Sequence, residues 1–335
     1  MPILLIAEAG VNHNGDIDTA KSLVDAAKKA NCNAVKFQTF KADKLVTKFA
    51  QKADYQIDNT GTNETQFEML KNLELSEENH WKLYNYCRQQ DILFLSTPFD
   101  EESADFLEAM GMKIFKIPSG EITNKNFIKH IAKKRKTIIL STGMSTLGEV
   151  EEALEWIYEE GCKKVILLHC VSSYPADFKD VNLNAIRTLR ECFKVKVGYS
   201  DHTVGTEASI AAAALGADVI EKHITLDRTM EGPDHKLSLE PLELEQMVTA
   251  IRNIEAALGD GKKRPTEREL ELRKNVRKYI VTEKNIYTGQ TITSDMLSVK
   301  RAGGGFDPKY LELIIGAIAA KDMPYGHVIE KGDFF

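Results

Sequence analysis

Two hydrophobic periods take turns over the first two-thirds of the chain. Short β-branched or apolar runs ending in polar clusters predict strands over 3–9, 34–38, 92–96, 113–117, 137–141, 165–169, 196–199 and 219–224. Between and after them, apolar residues three and four apart predict helices over 17–30, 77–90, 101–110, 126–133, 147–160, 183–192, 206–215 and 241–258. Eight strands, each followed by a helix, is the count of a (β/α)₈ TIM barrel. A doubly wound open sheet is the alternative, and the lack of a GxGxxG after the first strand weighs against it.

The polar clusters are not evenly distributed. Chemistry-bearing residues gather at the carboxyl ends of the predicted strands: Glu8 with Asn12 and His13, Lys36 with Gln38, Ser96 and Thr97, Lys116 with Ser119 and Glu121, Ser141 and Thr142, His169 with Ser172 and Tyr174, Ser200 with His202, and Glu221 with His223. The opposite joints carry small or glycine cap residues, such as Ala30-Asn31 and Met110-Gly111. A barrel builds its catalytic mouth from the carboxyl ends of its strands, and a single mouth predicts this asymmetry.

Lys36 and Lys116 occupy interior strand positions among apolar residues, where an ammonium is costly unless it meets an anion. With Gln38, Thr97, Ser119, Ser141 and Ser200 they predict a cradle for phosphate or carboxylate; a Schiff-base lysine is the rival reading. The stretch 195–225 reads as a βαβ unit whose two exits carry His202 and His223. A right-handed crossover brings both to one end of the sheet, where neutral imidazoles side by side suit a divalent metal.

Residues 40–75 exceed an ordinary connection and predict a lid or helical excursion over the mouth, with Tyr55 a candidate substrate contact. The pattern divides the chain into a catalytic domain over 1–258, a Gly- and charge-rich linker over 259–274, and a small, mostly β domain over 275–335. In the last, strands are predicted over 279–282, 298–301 and 327–329, with a short helix near 310–315. Its loop Lys300-Arg301-Ala302-Gly303-Gly304-Gly305-Phe306 suits delivery of a cation and a ring to a ligand, or a plain surface turn.

Composition narrows the partners. With 335 residues, 43% hydrophobic, 28% charged and a net charge of −6, the chain predicts a globular protein with no basic field for nucleic acid. No apolar run approaches a bilayer span, and the N-terminus enters a strand without a signal-like region, so no membrane role and a cytoplasmic location are expected. Five cysteines without a CxxC pair argue against a disulfide framework. A nucleophilic role for Cys170 is weaker than that of a buried inert thiol.

In combination, AEAGVNHNGD (7–16), VKFQTFKADKL (35–45), STPFDEES (96–103), FKIPSGEI (115–122), STGM (141–144), LLHCVSSYP (167–175), GYSDHT (198–203), EKHITLD (221–227), GPDHKLS (232–238) and KRAGGG (300–305) resemble the sialic acid (N-acetylneuraminate) synthase family, legionaminic acid synthases included. The resemblance implies a TIM barrel followed by an antifreeze-like (SAF) domain. The implied reaction condenses phosphoenolpyruvate with an N-acetyl amino sugar to a nine-carbon 2-keto acid and releases phosphate. It implies His202 and His223 as ligands of a divalent metal, Mn2+ first and Mg2+ or Co2+ next. Lys36, Gln38, Thr97, Lys116, Ser119, Ser141, Ser172 and Ser200 match positions around phosphoenolpyruvate. Glu8, Glu121, Lys116 and Tyr174 match catalytic positions, and Glu8, Tyr174, Asp234 and Arg301 match sugar contacts. Arg301 matches an arginine delivered to the active site of the partner subunit, which implies a domain-swapped homodimer. Ser172 stands where the family often has asparagine, which opens the choice of acceptor. N-acetylmannosamine is the first expectation and 2,4-diacetamido-2,4,6-trideoxymannose, leading to N,N'-diacetyllegionaminic acid, the second. Outside the family, a pyruvate-using metal-dependent aldolase and a non-catalytic ice- or sugar-binding module are the alternatives.

Overall fold

The computed structural model describes residues 2–61 and 64–335. Its first unit, residues 1–259, holds eight parallel strands: β1 (Leu4–Gly10), β2 (Ala34–Thr39), β3 (Leu93–Pro98), β4 (Ile114–Ile117), β5 (Thr137–Ser141), β6 (Val165–Cys170), β7 (Lys196–Asp201) and β8 (Val219–His223). The hydrogen-bonded order β3-β2-β1-β8-β7-β6-β5-β4, with β3 lying beside β4, closes a (β/α)₈ barrel.

The helices are α1 (Ile17–Lys29), α2 (Ala42–Leu45), α3 (Asp54–Thr60), α4 (Gln66–Leu73), α5 (Glu77–Gln89), α6 (Glu101–Ala109), α7 (Lys125–Lys133), α8 (Leu147–Glu159), α9 (Ala185–Phe193), α10 (Glu207–Ala214) and α11 (Pro241–Leu258). Polar caps start many of them. Asp16, Ser76, Asp100, Asn124 and Thr146 each accept a first-turn amide at the head of α1, α5, α6, α7 and α8. Each cap satisfies an amide that has no partner within its helix.

The strand period of two sorts the core into two layers and a site. Outward residues such as Leu5, Val35, Phe115, Ile138, Leu167 and Val197 join the helices in one continuous apolar jacket. Inward residues toward the amino ends of the strands, Ile6, Ala34, Leu95, Ile139, Leu168 and Val219, fill the barrel itself. One or two steps further along the same inward rows the side chains turn polar: Glu8, Lys36, Thr97, Lys116, Ser141, Ser200 and Glu221, all buried. The apolar plug below these groups excludes water from beneath them.

The predicted excursion over 40–75 folds as α2, α3 and α4; Thr62 and Asn63 within it lie outside the described residues. Leu45, Met69, Leu70 and Leu73 from these helices pack with Val11, Phe40 and Phe99 from the loops after β1, β2 and β3. The apolar faces of α2 and α4 thus hold them to the barrel rim.

The second unit, residues 260–335, contains α12 (Glu267–Val276), the antiparallel pair β9 (Lys278–Thr282) and β10 (Leu297–Arg301), and α13 (Leu311–Ile314). Its core is Ile280, Ile286, Ile292, Leu297, Ile314, Ala319, Met323 and Ile329. Two local expectations are corrected. The stretch over 259–274 read as linker contains most of α12, started by a Thr266–Glu269 capping box. The strand expected over 327–329 is one bridge, Val281 with Val328.

Candidate active site

The polar ends of the strands and the lid helices line one cavity of about 570 Å³. Its floor carries two buried lysines and two buried carboxylates. Lys36 Nζ lies 2.6 Å from Glu8 Oε2 and 3.5 Å from Glu221 Oε2, and donates to Thr97 Oγ1 at 2.9 Å. Lys116 Nζ is 3.6 Å from Glu221 Oε1, which also accepts from Ser200 Oγ at 2.8 Å. Glu221 is therefore shared between the two ammonium groups.

Burial opposes every charge here, and neighbours decide the outcome. Burial pushes the Glu8 carboxyl up to about 7, outweighing the attraction of Lys36. For Glu221 burial also pushes upward, but Lys116 and Lys36 together overcome it and hold the group down at about 2. Burial lowers Lys116; for Lys36 the same burial is outweighed by Glu221 and Glu8, and its pKa rises. With Glu221 ionised and Glu8 poised near neutrality, positive charge is in excess on the floor, which favours an anionic ligand.

Hydroxyls surround this floor. Ser119 Oγ accepts the Gly143 amide at 2.9 Å and contacts Cys170 Sγ at 3.2 Å. A Cβ on Gly143 would sit 2.3 Å from Ser172 Oγ and 2.9 Å from Ser119 Oγ, so only glycine lets this backbone approach the serines. Ser141 Oγ is buried with no hydrogen-bond partner among the described residues. Gln38 and Ser172 complete the lining.

His202 and His223 meet on the β7–β8 side, ring centroids 5.6 Å apart. His202 Nδ1 donates to the Val171 carbonyl at 2.6 Å, since a carbonyl only accepts, and Nε2 keeps its lone pair. His223 Nδ1 is buried without a hydrogen-bond partner among the described residues. Burial lowers both imidazoles, His223 well below the usual value with His202 adding to the effect. Asp234 Oδ2 lies 4.0 Å from His223 Nδ1, its carboxyl pushed up by burial to about 6. Tyr174 lies against His202 at 4.2 Å and stacks on Tyr55 of the lid at 5.1 Å.

Of the residues singled out from sequence, Glu8, Lys36, Gln38, Thr97, Lys116, Ser119, Ser141, Ser172, Tyr174, Ser200, His202, His223 and Asp234 all line this cavity. Glu121 is not among them. The chain after β4 makes a 3₁₀ turn, Ser119–Glu121, and Glu121 Oε2 accepts from Asn124 Nδ2 at 2.7 Å beside the start of α7. Arg301 is exposed at the end of β10 in the second unit. Glu221, read from sequence only as a polar strand-end residue beside His223, was given no role there, and the structure makes it the shared partner of both lysines. Its signal was present, because Glu221 and His223 are two apart on β8 and so share a face.

A barrel mouth with a cationic, hydroxyl-lined floor and two neutral imidazoles defines an enzyme for a small anionic substrate. The chain belongs to the NeuB family, which it matches over residues 23–263, and it matches the SAF domain over residues 277–334. It is 48% identical over 330 residues to the N,N'-diacetyllegionaminic acid synthase of Campylobacter jejuni, across 98% of this chain and 99% of that one. Identity to the protein of the same activity from Legionella pneumophila is 46%, across 97% and 93% of the two chains. The crystal structure of N-acetylneuraminic acid synthetase from Leptospira borgpetersenii, in complex with citrate, superposes with a TM-score of 0.72 at 36% identity, across 82% of this chain and 93% of that one. The family reaction is condensation of phosphoenolpyruvate with an amino sugar, and this chain is an enzyme of that class. Among the described residues no helix is long and apolar enough to cross a membrane.

Proposed function

We propose that the chain condenses phosphoenolpyruvate with 2,4-diacetamido-2,4,6-trideoxymannose to give N,N'-diacetyllegionaminic acid and phosphate. The near full-length likeness to two synthases of that product carries this choice over N-acetylmannosamine. The cavity wall supports it. Val11, Leu45, Val46, Met69, Leu70, Leu73 and Phe99 give an apolar lining, while the lysines of the cavity, Lys36 and Lys116, belong to its floor. Such a wall suits a deoxy carbon and acetamido methyls better than a sugar phosphate.

In this reading Lys36 and Lys116 hold the phosphate and carboxylate of phosphoenolpyruvate, with Thr97, Ser119 and Ser141 donating to the same oxygens and Ser200, whose hydrogen goes to Glu221, lining the site beside them. Carbon 3 of the enol attacks the open-chain aldehyde, water adds to the cationic carbon 2, and phosphate leaves by C–O cleavage. Glu8, the buried carboxyl beside Lys36, is assigned proton transfer, and Glu221 keeps the two ammonium groups apart and oriented. Tyr174 and Asp234 face the acceptor.

His202 and His223 fit a divalent cation, manganese first. One ring is locked with Nε2 unprotonated and the other holds a buried, unpartnered nitrogen. Such a cation supplies Lewis-acid polarisation of the aldehyde oxygen. The partners are completed by a second copy of the chain, with Arg301 of the partner subunit contacting the sugar. Phosphoenolpyruvate is a cytoplasmic metabolite, which supports the cytoplasm as the compartment.

The test is phosphate release from phosphoenolpyruvate with Mn2+, run in parallel with the diacetamido trideoxy sugar, N-acetylmannosamine and its 6-phosphate. Release with the first, abolished by chelator, is expected. Release only with one of the others would move the acceptor assignment to that sugar.

A further inference from the structure

A fully buried ion pair lies on the helix-facing side of the strands that carry the two histidines. Asp201 and Lys222 are register partners across β7 and β8, and Lys222 Nζ lies 3.0 Å from Asp201 Oδ2 with both side chains entirely enclosed. The next residues are His202 and His223, whose side chains turn the other way, into the cavity. The pair is embedded in a closed set of hydrogen bonds. Asp201 Oδ2 also accepts from Ser209 Oγ of α10 at 2.6 Å, and Oδ1 accepts the Thr203 amide and hydroxyl, each at 2.8 Å, and Tyr199 OH at 3.3 Å. Lys222 Nζ donates in turn to the Thr203 carbonyl at 2.6 Å.

Stability alone is a poor reason for this cluster. A buried ion pair is often no more stabilising than apolar side chains of similar volume, and α10, which packs on β7 and β8, otherwise buries Ala208, Ala212 and Ala213 beside Ser209. What the pair supplies is direction. Each donor to Asp201 fixes one element, so β7, β8, the loop over 202–206 and α10 are held in one arrangement. His202 is further pinned through the Val171 carbonyl, whereas the His223 ring has no hydrogen bond at Nδ1 to orient it. The setting of His223 relative to His202 therefore depends on the backbone that Lys222 anchors.

We propose that Asp201 and Lys222 are positioning residues that set the spacing of His202 and His223 for a single divalent cation. This rests on the metal reading given above. The test is Mn2+ binding to purified, metal-free full-length protein, measured by titration with electron paramagnetic resonance, beside the affinity for phosphoenolpyruvate without metal and the thermal midpoint. In the double variant Asp201→Asn with Lys222→Met both charges go and the volume is kept. Its Mn2+ affinity is expected to fall about 10-fold, the low end of the range for groups bonded directly to a metal ligand because this pair acts through the backbone, while phosphoenolpyruvate binding on Lys36 and Lys116 stays within about twofold. Ser209→Ala, which removes one donor and no charge, gives a milder case with a several-fold loss. A folded double variant, or should it not fold a Ser209→Ala variant, that binds Mn2+ as tightly as the unaltered chain overturns the proposal and leaves the metal reading intact. No Mn2+ binding by the unaltered chain overturns both.

Discussion

Glu8 and Glu121, both matched to catalytic positions, sit in different settings. Glu8 is buried against Lys36 in the cavity, and Glu121, outside the cavity lining, accepts from Asn124 Nδ2. Glu8→Gln is expected to lower kcat about 10²- to 10⁴-fold, the usual contribution of a positioned acid or base, with KM for phosphoenolpyruvate little changed. Glu121→Gln should leave both within about threefold, the effect of one exposed hydrogen bond. Steady-state kinetics on the two variants decide between them, and a large loss for Glu121→Gln would return that residue to the site. Lys116→Ala should cost at least about 10² in kcat/KM with an unchanged circular dichroism spectrum, because the ammonium serves an anion in the mouth rather than the apolar core. Thirteen of the residues singled out from sequence line the cavity: those on strands, such as Lys36, Lys116 and Ser200, through an inward, carboxyl-end setting, and those in the loops beyond, such as Ser172, Tyr174 and Asp234, through the family resemblance. Glu121 lies beyond the end of β4 in a 3₁₀ turn that leaves Ser119 on the cavity and turns Glu121 toward Asn124, a local geometry that no period of two reports. The role of Glu221 was equally hidden, since being shared by two lysines is a property of three strands together.

At the scale of elements, the helices of the barrel were legible because each has one buried face, and the strands because they are buried on both faces and read as short continuous apolar runs. The lid was legible only as an excess of length. Its three helices are too short for periodicity to declare them, and their position comes from contacts far along the chain. The Asn59 side chain of α3 donates to the Pro233 carbonyl at 2.6 Å, and Lys236 Nζ donates to the Asp58 carbonyl at 2.9 Å. These two bonds latch α3 to the loop that carries Asp234. Asn59→Ala removes one latch worth about 1 kcal/mol, so KM for the acceptor is expected to rise about fivefold with little change in KM for phosphoenolpyruvate; an equal rise in both would mean that the latch shapes the floor instead. The turn after β1 carries a pH dependence of its own. His13 Nδ1 accepts the Gly15 amide at 2.9 Å, and burial lowers the imidazole to about 4. Because the folded state resists the proton that the unfolded chain takes up near 6.5, stability is lost as pH falls from about 6.5 toward 4. Asn at this position keeps the acceptor and cannot titrate. His13→Asn should therefore lose about 2 kcal/mol less than the unaltered chain between pH 7 and pH 5 in urea unfolding, and parallel slopes would remove His13 as the cause.

For the whole molecule, the question is which chain supplies the second unit to a given barrel. The resemblance at Lys300-Arg301-Ala302-Gly303-Gly304-Gly305 implies exchange between two copies, and Arg301 is exposed at the end of its strand. Exchange can be read without any image of the dimer. Under the proposed exchange Lys116→Ala is expected to disable a barrel and Arg301→Ala the arm delivered to it, so that each variant alone is close to inactive. Co-expression in equal amounts and random pairing makes about half of the dimers mixed, and in an exchanged dimer one of the two sites then joins an intact barrel to an intact arm. Activity should return to about a quarter of that of the unaltered protein per chain. If each barrel used the arm of its own chain, every site would keep one defect and mixing would restore nothing. Recovery thus depends on connectivity alone, since both preparations contain the same substitutions in the same proportion.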